Sequence, residues 1–320
     1  IFVSTVTYFL RSYWFSKTKT YGKMKHYLKS CTMVAVMSDV VRTAVIPVAG
    51  LATRFLPIST SIPKEMLPLL DRPMVEYGIR EAVDSGIENI IFITSNHNNI
   101  LQDYLNKKIE TTVRSDKKDN QEQLSEIAQF TFIPQEKPLG LGHAILQAKD
   151  AIGNNPFAVL LPDDLILSEK PVLGSMLARC RQREGSYIAI QKVAVEDISS
   201  YGVIKGEPVD DSVYTVEEII EKPPVNQAPS LLGVVGRYIF DPAIFLCLEQ
   251  TTPGMLGEIQ LTDGISLLLK QKPVNAYLFE GTRFDCGNPI GLLQASLGLA
   301  LRRKDTESSV RKWINQIKSG

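Results

Sequence analysis

The sequence predicts an α/β fold: a mostly parallel mixed sheet flanked by helices, with a small antiparallel extension. Two observations predict the parallel part. Short apolar runs of strand length alternate with segments of helical spacing from residue 42 onward. A 44 % apolar content over 320 residues supplies a sizeable core. A third observation predicts the extension. The stretch 186–240 is richer in strands and turns, with YIAIQKVAV, YGVIKGEPV, YTVEEIIEK and GVVGRYIF in close succession.

The elements follow in order. Ala44–Val48 reads as a buried strand. Met74–Ser85 has helical spacing through Met74, Tyr77, Gly78 and Ala82, and stops at Gly86. Asn89–Thr94 (NIIFIT) is a second buried strand, and Asn98–Tyr104 opens a helix. Residues 106–128 are polar and charged, a surface excursion and not a linker between domains. Phe130–Ile133 is a strand, Gly142–Ala151 a helix and Phe157–Leu161 a strand. A helix begins at Glu258 after the turn Thr252–Gly257, and Val274–Phe279 is a further strand. In 304–320, Val310, Trp313 and Ile317 lie near helical spacing and predict a short C-terminal helix. Ligands of such sheets bind outside the carboxyl ends of the strands, so loops following strands are the place to look.

Bulk properties exclude several classes. Lys+Arg and Asp+Glu are both 35, so no basic excess points to nucleic acid. The four cysteines, Cys31, Cys180, Cys247 and Cys286, form no CxxC pair, which argues against a zinc or redox motif and for reduced thiols in the cytoplasm. Residues 1–36 do not match the rest in character. Their longest apolar stretch falls short of the ~18–20 residues a bilayer span needs, so no membrane partner is expected. They read as a non-native extension or a disordered segment, with Met37 as the natural start.

Six segments carry candidate chemistry or support for it. The first, residues 44–68, is AVIPVAGLATRFLPISTSIPKEMLP. Its strand breaks into Ala49-Gly50-Leu51-Ala52-Thr53-Arg54, a loop whose backbone N–H groups can face an anion, with Arg54 and Lys64 adding positive charge. It is not a Walker loop, because no Gly-Lys-Ser/Thr closes it. In Leu160-Leu161-Pro162-Asp163-Asp164-Leu165, Asp163 follows a buried strand and can project toward a ligand. A strand-end Asp pair serves a cation or merely caps a turn, and the residues alone leave both open. Phe284-Asp285-Cys286-Gly287-Asn288 places a second carboxylate at a turn. Gln135-Glu136-Lys137-Pro138-Leu139-Gly140-Leu141-Gly142-His143-Ala144 combines an amide with a Gly-rich helix entry. Glu221-Lys222-Pro223, preceded by Tyr201-Gly202-Val203, is in isolation a solvated surface pair. In Gly257-Glu258-Ile259-Gln260-Leu261-Thr262-Asp263, Thr262 or Asp263 can cap a helix, and the segment is read as structural, supporting a ligand pocket or an oligomer contact.

Together, and in their order along the chain, the segments resemble the sugar-nucleotide pyrophosphorylases, and the PKEMLP ending resembles the bacterial UTP–glucose-1-phosphate uridylyltransferases. The resemblance covers roughly residues 40–302. It implies a Rossmann-like nucleotidyltransferase domain over 37–303, with 304–320 as a tail or helix and the antiparallel extension on the sugar side. It implies UTP and glucose 1-phosphate as substrates, UDP-glucose and pyrophosphate as products, Mg²⁺ as cofactor, and a homodimer or homotetramer. By resemblance, Ala49, Gly50, Leu51, Ala52 and Thr53 bind the nucleotide, and Gln135 with Gly140 reads the base. Arg54, Lys64 and Lys222 are catalytic, Gly202, Glu221 and Lys222 hold the sugar phosphate, and Asp163 with Asp285 binds the metal. Asp164 is then a supporting or turn residue, and His143 and Cys286 are structural.

Two departures bear on activity. The family loop usually reads G-L-G-T-R, whereas this chain has Ala52 at the third position. A positive φ there would cost a non-glycine residue roughly 1–2 kcal/mol. A role in close phosphate approach would instead crowd the ligand, and an ordinary φ would make the change nearly silent. The 106–128 excursion is also shorter than usual. Alternatives to an active uridylyltransferase are a catalytically impaired paralogue that regulates an active one, and a pyrophosphorylase using dTTP or another sugar 1-phosphate.

Overall fold

The computed structural model describes residues 41–95, 99–106, 128–254 and 257–319. The expectations for residues 1–36, and for nearly all of the 106–128 excursion, lie outside the described residues.

Strand β1 (Thr43–Val48) runs into the Gly50 loop and three short 3-10 turns, Thr53–Phe55, Ile58–Thr60 and Lys64–Met66. A small ribbon, β2 (Pro68–Leu69) with β3 (Arg72–Pro73), leads to helix α1 (Met74–Asp84). Then come β4 (Asn89–Thr94), α2 (Asn99–Asn106) and β5 (Gln129–Pro134). The predicted helix Gly142–Ala151 is two helices, α3 (Leu141–Leu146) and α4 (Lys149–Ile152). The break falls where the Gln147 side chain donates to the His143 carbonyl at 3.2 Å, beside its own backbone N–H. Strands β6 (Phe157–Leu160) and β7 (Asp164–Leu167) flank the Asp163 turn, and α5 (Val172–Cys180) follows. The strand-rich stretch resolves into β8 (Ser186–Lys192), β9 (Gly202–Pro208), β10 (Val213–Glu221) and β11 (Leu232–Phe240). The chain closes with α6 (Ala243–Gln250), α7 (Leu261–Leu268), β12 (Val274–Leu278), β13 (Thr282–Asp285), α8 (Pro289–Ala300) and α9 (Glu307–Ser319). Helix α7 starts at Leu261, later than the predicted Glu258.

Among the described residues, nine strands form one mixed sheet in the order β5-β4-β1-β6-β11-β8-β12-β10-β9. Strands β5, β4, β1 and β6 are mutually parallel. Strand β11 is antiparallel to both β6 and β8, β8 is parallel to β12, and β10 is antiparallel to β12 and β9. The antiparallel extension is therefore continuous with the main sheet.

Period-two alternation sorts the apolar side chains onto two faces. Ile46, Phe92 and Leu160 enter one core with Val75 and Ile79 of α1 and Leu173 and Met176 of α5. Val45, Ile91 and Val159 enter the other with Ile145 of α3, Phe245 of α6 and Ile265 of α7. Strands covered on both faces read as continuous apolar runs, which is why NIIFIT shows no alternation.

Parallel β1, β5 and β6 end at one edge of the sheet, and the loops carrying Gly50, Gln135 and Asp163 follow those ends. Asp285 reaches the same edge by another route. Strand β13 pairs antiparallel with β7, with Asp285 opposite Asp164. Helix α8 begins directly after this turn. Asn288 caps it, accepting from the Gly291 N–H at 2.9 Å, and Pro289 occupies its first turn.

Candidate active site

The loop after β1 resolves the question posed by Ala52, whose backbone is left-handed at φ 51°, ψ 36°. The methyl group occupies a conformation in which Cβ crowds the following carbonyl, so the strained alternative is the one the chain adopts. In the same loop a Cβ built on Gly50 would lie 3.7 Å from Lys64 Cε, so Lys64 reaches back along the loop. Ala49 is buried at the end of β1, whereas Leu51, Thr53 and Arg54 are exposed. Among the described residues Arg54 makes no hydrogen bond or ion pair, in contrast to Lys64.

Lys64, Asp163 and Asp285 form one cluster. Lys64 Nζ donates to Asp163 Oδ2 at 2.5 Å. Burial works against the charge of both groups. It is outweighed in each by the partner, so the lysine is pushed up and the Asp163 carboxyl is held below the usual aspartate range. A Cβ placed on Gly287 would lie 2.9 Å from Asp285 Oδ1 and 3.1 Å from Asp163 Oδ2. The two carboxylates thus flank one small space that only glycine leaves open. The Cys286 N–H fixes the spacing by donating to the Asp163 carbonyl at 2.7 Å, and Gly287 N–H donates to Asp285 Oδ1 at 2.9 Å. Two carboxylates around one small space are hard oxygen donors of the kind that can hold a hard divalent cation. Cys286 is fully buried, and burial pushes its thiol up to about 12, which agrees with a structural role.

The turn bearing Asp163 is held by residues that the sequence did not single out. Arg237 is 2 % exposed and uses all five of its donors. It pairs with Glu81 through Nε and Nη2, and reaches the carbonyls of Leu161, Gly236 and Asp164 at 3.1, 2.9 and 2.8 Å. Asp164 points away from Asp163. Its Oδ2 accepts from the Gly236 N–H at 2.6 Å and its Oδ1 from Arg283 Nε at 2.6 Å. Arg283 in turn donates to the Tyr201 hydroxyl at 2.8 Å and lies over the Tyr201 ring. No local pattern announces these contacts, because Glu81 and Arg237 are 156 positions apart.

Tyr201 leads to the next cluster. Its carbonyl accepts from the Lys222 N–H at 3.0 Å, and Lys222 has a positive φ of 44°. Lys222 Nζ is exposed and stands 3.3 Å from Glu221 Oε1. The other oxygen of Glu221 accepts from Thr262 Oγ1 at 3.0 Å. A Cβ on Gly202 would meet Thr262 Cγ2 at 2.8 Å and Glu221 Oε2 at 3.4 Å. Gly202, Glu221, Lys222 and Thr262 therefore lie together in one cluster. Thr262, one of the two residues offered as a helix cap, does not cap α7, which Gln260 precedes; it supports a candidate ligand carboxylate.

Gln135 and Gly140 form the third cluster. Gln135 is buried, and its Nε2 stands 2.7 Å from His143 Nδ1 and 3.4 Å from the Gly140 carbonyl. Gly140 has φ 95°, and a Cβ there would strike Glu258 Cβ at 2.9 Å, so only glycine lets the Leu139–Gly140 turn pack on the segment before α7. Burial lowers the His143 imidazole's affinity for a proton.

Residues 43–301 match the family model described as nucleotidyl transferase. A UTP–glucose-1-phosphate uridylyltransferase of Bacillus subtilis is 40 % identical over 271 residues, 83 % of this chain and 93 % of that protein. One from Streptococcus pyogenes is 40 % identical over 288 residues, 87 % of this chain and 94 % of that protein. A solved UDP-glucose pyrophosphorylase complexed with UDP-glucose superimposes with a TM-score of 0.77 at 40 % identity, covering 82 % of this chain and 100 % of that one. A UTP-bound enzyme from Acinetobacter baumannii gives 0.76 at 38 % identity, covering 86 % and 98 %.

Proposed function

Since the chain belongs to the nucleotidyl transferase family, we propose that it transfers the uridylyl group of UTP to glucose 1-phosphate, releasing pyrophosphate and forming UDP-glucose. The observation that carries this reading furthest is the convergence of Asp163, Asp285 and Lys64 beside the Gly50 loop.

The sugar phosphate is the nucleophile. Its second pKa is about 6, so it is largely ionised at neutral pH and asks for no general base. It attacks the UTP α-phosphorus in line, the P–O bond to the β-phosphate breaks, and pyrophosphate leaves with that electron pair. The task for the protein is to bring two anions together. Backbone groups of Ala49–Thr53 receive the triphosphate, while Arg54 and Lys64 answer the charge that gathers on pyrophosphate. Lys222 answers the sugar phosphate. Glu221 accepts hydrogen bonds from sugar hydroxyls, held in position by Thr262, and Gly202 lets Thr262 pack this close beside it. Gln135 and Gly140 receive the uracil.

Asp163 and Asp285 are the residues that would hold Mg²⁺. Bound there, Mg²⁺ supplies charge stabilisation for the reacting phosphates. Lys64, which pairs with Asp163, stands beside the Gly50 loop where it can also meet phosphate. No described helix is long and apolar enough to cross a membrane. Buried free thiols at Cys180, Cys247 and Cys286 support a cytoplasmic setting. The exposed Ile290 and Leu293 of α8 support a homo-oligomer.

Thermal unfolding with ligand tests the reading. UTP with Mg²⁺ should raise Tm by mass action, and Asp285→Asn should remove the Mg²⁺-dependent part of the rise. An identical rise in the variant would contradict the metal assignment.

A further inference from the structure

In-line attack needs its two reactants at a fixed separation. Here the two halves of the site come from different parts of the sheet. One half is the Asp163 turn after β6, among the parallel strands. The other is the β9–β10 pair at the far edge, with Gly202 opposite Glu221 and Lys222 directly after it. One side chain spans the two.

Arg283 of β13 reaches both halves. Toward the Asp163 turn, its Nε donates to Asp164 Oδ1 at 2.6 Å and its Nη2 pairs with the same oxygen. In the other direction, its Nη1 donates to the Tyr201 hydroxyl at 2.8 Å. Tyr201 has little room to yield. The Arg283 guanidinium carbon lies 5.2 Å from its ring centroid, and a Cβ on Gly233 of β11 would lie 3.1 Å from its Cγ. The Tyr201 carbonyl accepts from the Lys222 N–H at 3.0 Å, so a shift of Tyr201 carries the Lys222 backbone with it. The Asp163 turn does not depend on this bridge for its shape, because Arg237 already binds the Leu161 and Asp164 carbonyls. Balancing the charge of buried Asp164 asks only for a cation beside it. A planar fork that also reaches Tyr201 does more than either task requires.

We infer that Arg283 is a positioning residue that sets the separation between the Asp163 turn and the Lys222 loop, through Asp164 at one end and Tyr201 at the other. This deepens the proposed function and rests on Lys222 meeting the sugar phosphate. Loss of the bridge should fall on glucose 1-phosphate and on UDP-glucose, and not on UTP.

Two mild variants separate bridging from charge balance. Arg283→Lys keeps a cation for Asp164 but lacks the fork that reaches both partners. Tyr201→Phe keeps the ring and removes only the hydroxyl. On the full chain, kcat/KM for glucose 1-phosphate would be measured at saturating UTP and Mg²⁺, and Kd for UDP-glucose and for UTP by calorimetry. Each variant should lower kcat/KM for glucose 1-phosphate and weaken UDP-glucose about tenfold, the scale of one hydrogen bond to a charged group, with the Kd of UTP unchanged. The double variant should lose no more than either single one, because both remove the same bridge. Native values in Tyr201→Phe would overturn the inference. So would equal weakening of UTP and UDP-glucose, which marks a general loss of structure, or a double variant about a hundredfold down, which marks two independent effects. A chain whose kcat/KM for glucose 1-phosphate is untouched by Lys222→Ala would refute the reading of Lys222, and the inference with it.

Discussion

Replacing Ala52 by glycine tests whether the loop after β1 stores strain. Ala52 sits at φ 51°, where a non-glycine residue is disfavoured by roughly 1–2 kcal/mol. Glycine removes that cost but adds freedom to the unfolded chain, which offsets roughly 0.5–1 kcal/mol. The net expectation is a gain of about 0.5–1 kcal/mol. For a domain of this size that corresponds to a rise in Tm of about 1–4 °C. Calorimetry or thermal unfolding monitored by circular dichroism of the native chain and Ala52→Gly, without ligand, measures it. Because Ala52 is held by the loop and not by the reacting groups, kcat should change by less than about threefold, a difference under ~0.7 kcal/mol in barrier. Ala52→Val should go the other way, since a β-branched residue is still less tolerated at positive φ. A fall in Tm for Ala52→Gly would refute the assignment of strain. Inactivity of the native chain with recovery in Ala52→Gly would show that the loop governs function and not only stability.

Other predictions follow from the supporting contacts. Arg237→Met should destabilise the protein by about 3–5 kcal/mol, read as a large drop in Tm, because it leaves Glu81 half-buried without its partner. Glu76 is held below the ordinary glutamate range, since Tyr104, Arg80 and Arg72 outweigh the opposing effect of burial. Its stabilisation should be full above the unfolded value of about 4.3 and fade as pH falls through the lower folded value, so the Tm gap between native and Glu76→Gln chains should narrow in acid. Gly287→Ala should force Asp163 and Asp285 apart and raise the Mg²⁺ concentration needed for half-maximal turnover. Thr262→Ala should raise KM for glucose 1-phosphate by about three- to tenfold, the scale of one lost hydrogen bond to Glu221.

What could be read in the sequence was local. The strand-to-loop transition at Val48, the Asp163 turn and the Gly140 helix entry each lie within a few residues, and the structure puts each at the predicted edge of the sheet. Helix α8 escaped notice because PIGLLQASLGLA is apolar on every side and shows no 3.6-residue period. The β7–β13 ribbon escaped because strands of four residues leave too short a pattern, although this ribbon is what delivers Asp285. Buried contacts such as Arg237 with Glu81, or Arg283 with Asp164 and Tyr201, join residues far apart in the chain and become visible only in three dimensions. The φ of Ala52 was posed by the sequence as a question and answered by the fold, because the dihedral depends on how the loop closes over Phe55.

The most direct test of the central claim is pyrophosphate release from UTP, glucose 1-phosphate and Mg²⁺, followed for the native chain beside Asp163→Ala and Lys222→Ala. The account predicts turnover by the native chain, and a loss in each variant of two orders of magnitude or more in kcat/KM, since one preorganised charge contact is worth about 3–4 kcal/mol. Absence of pyrophosphate release by the native chain, or release that Asp163→Ala leaves unchanged, would contradict it.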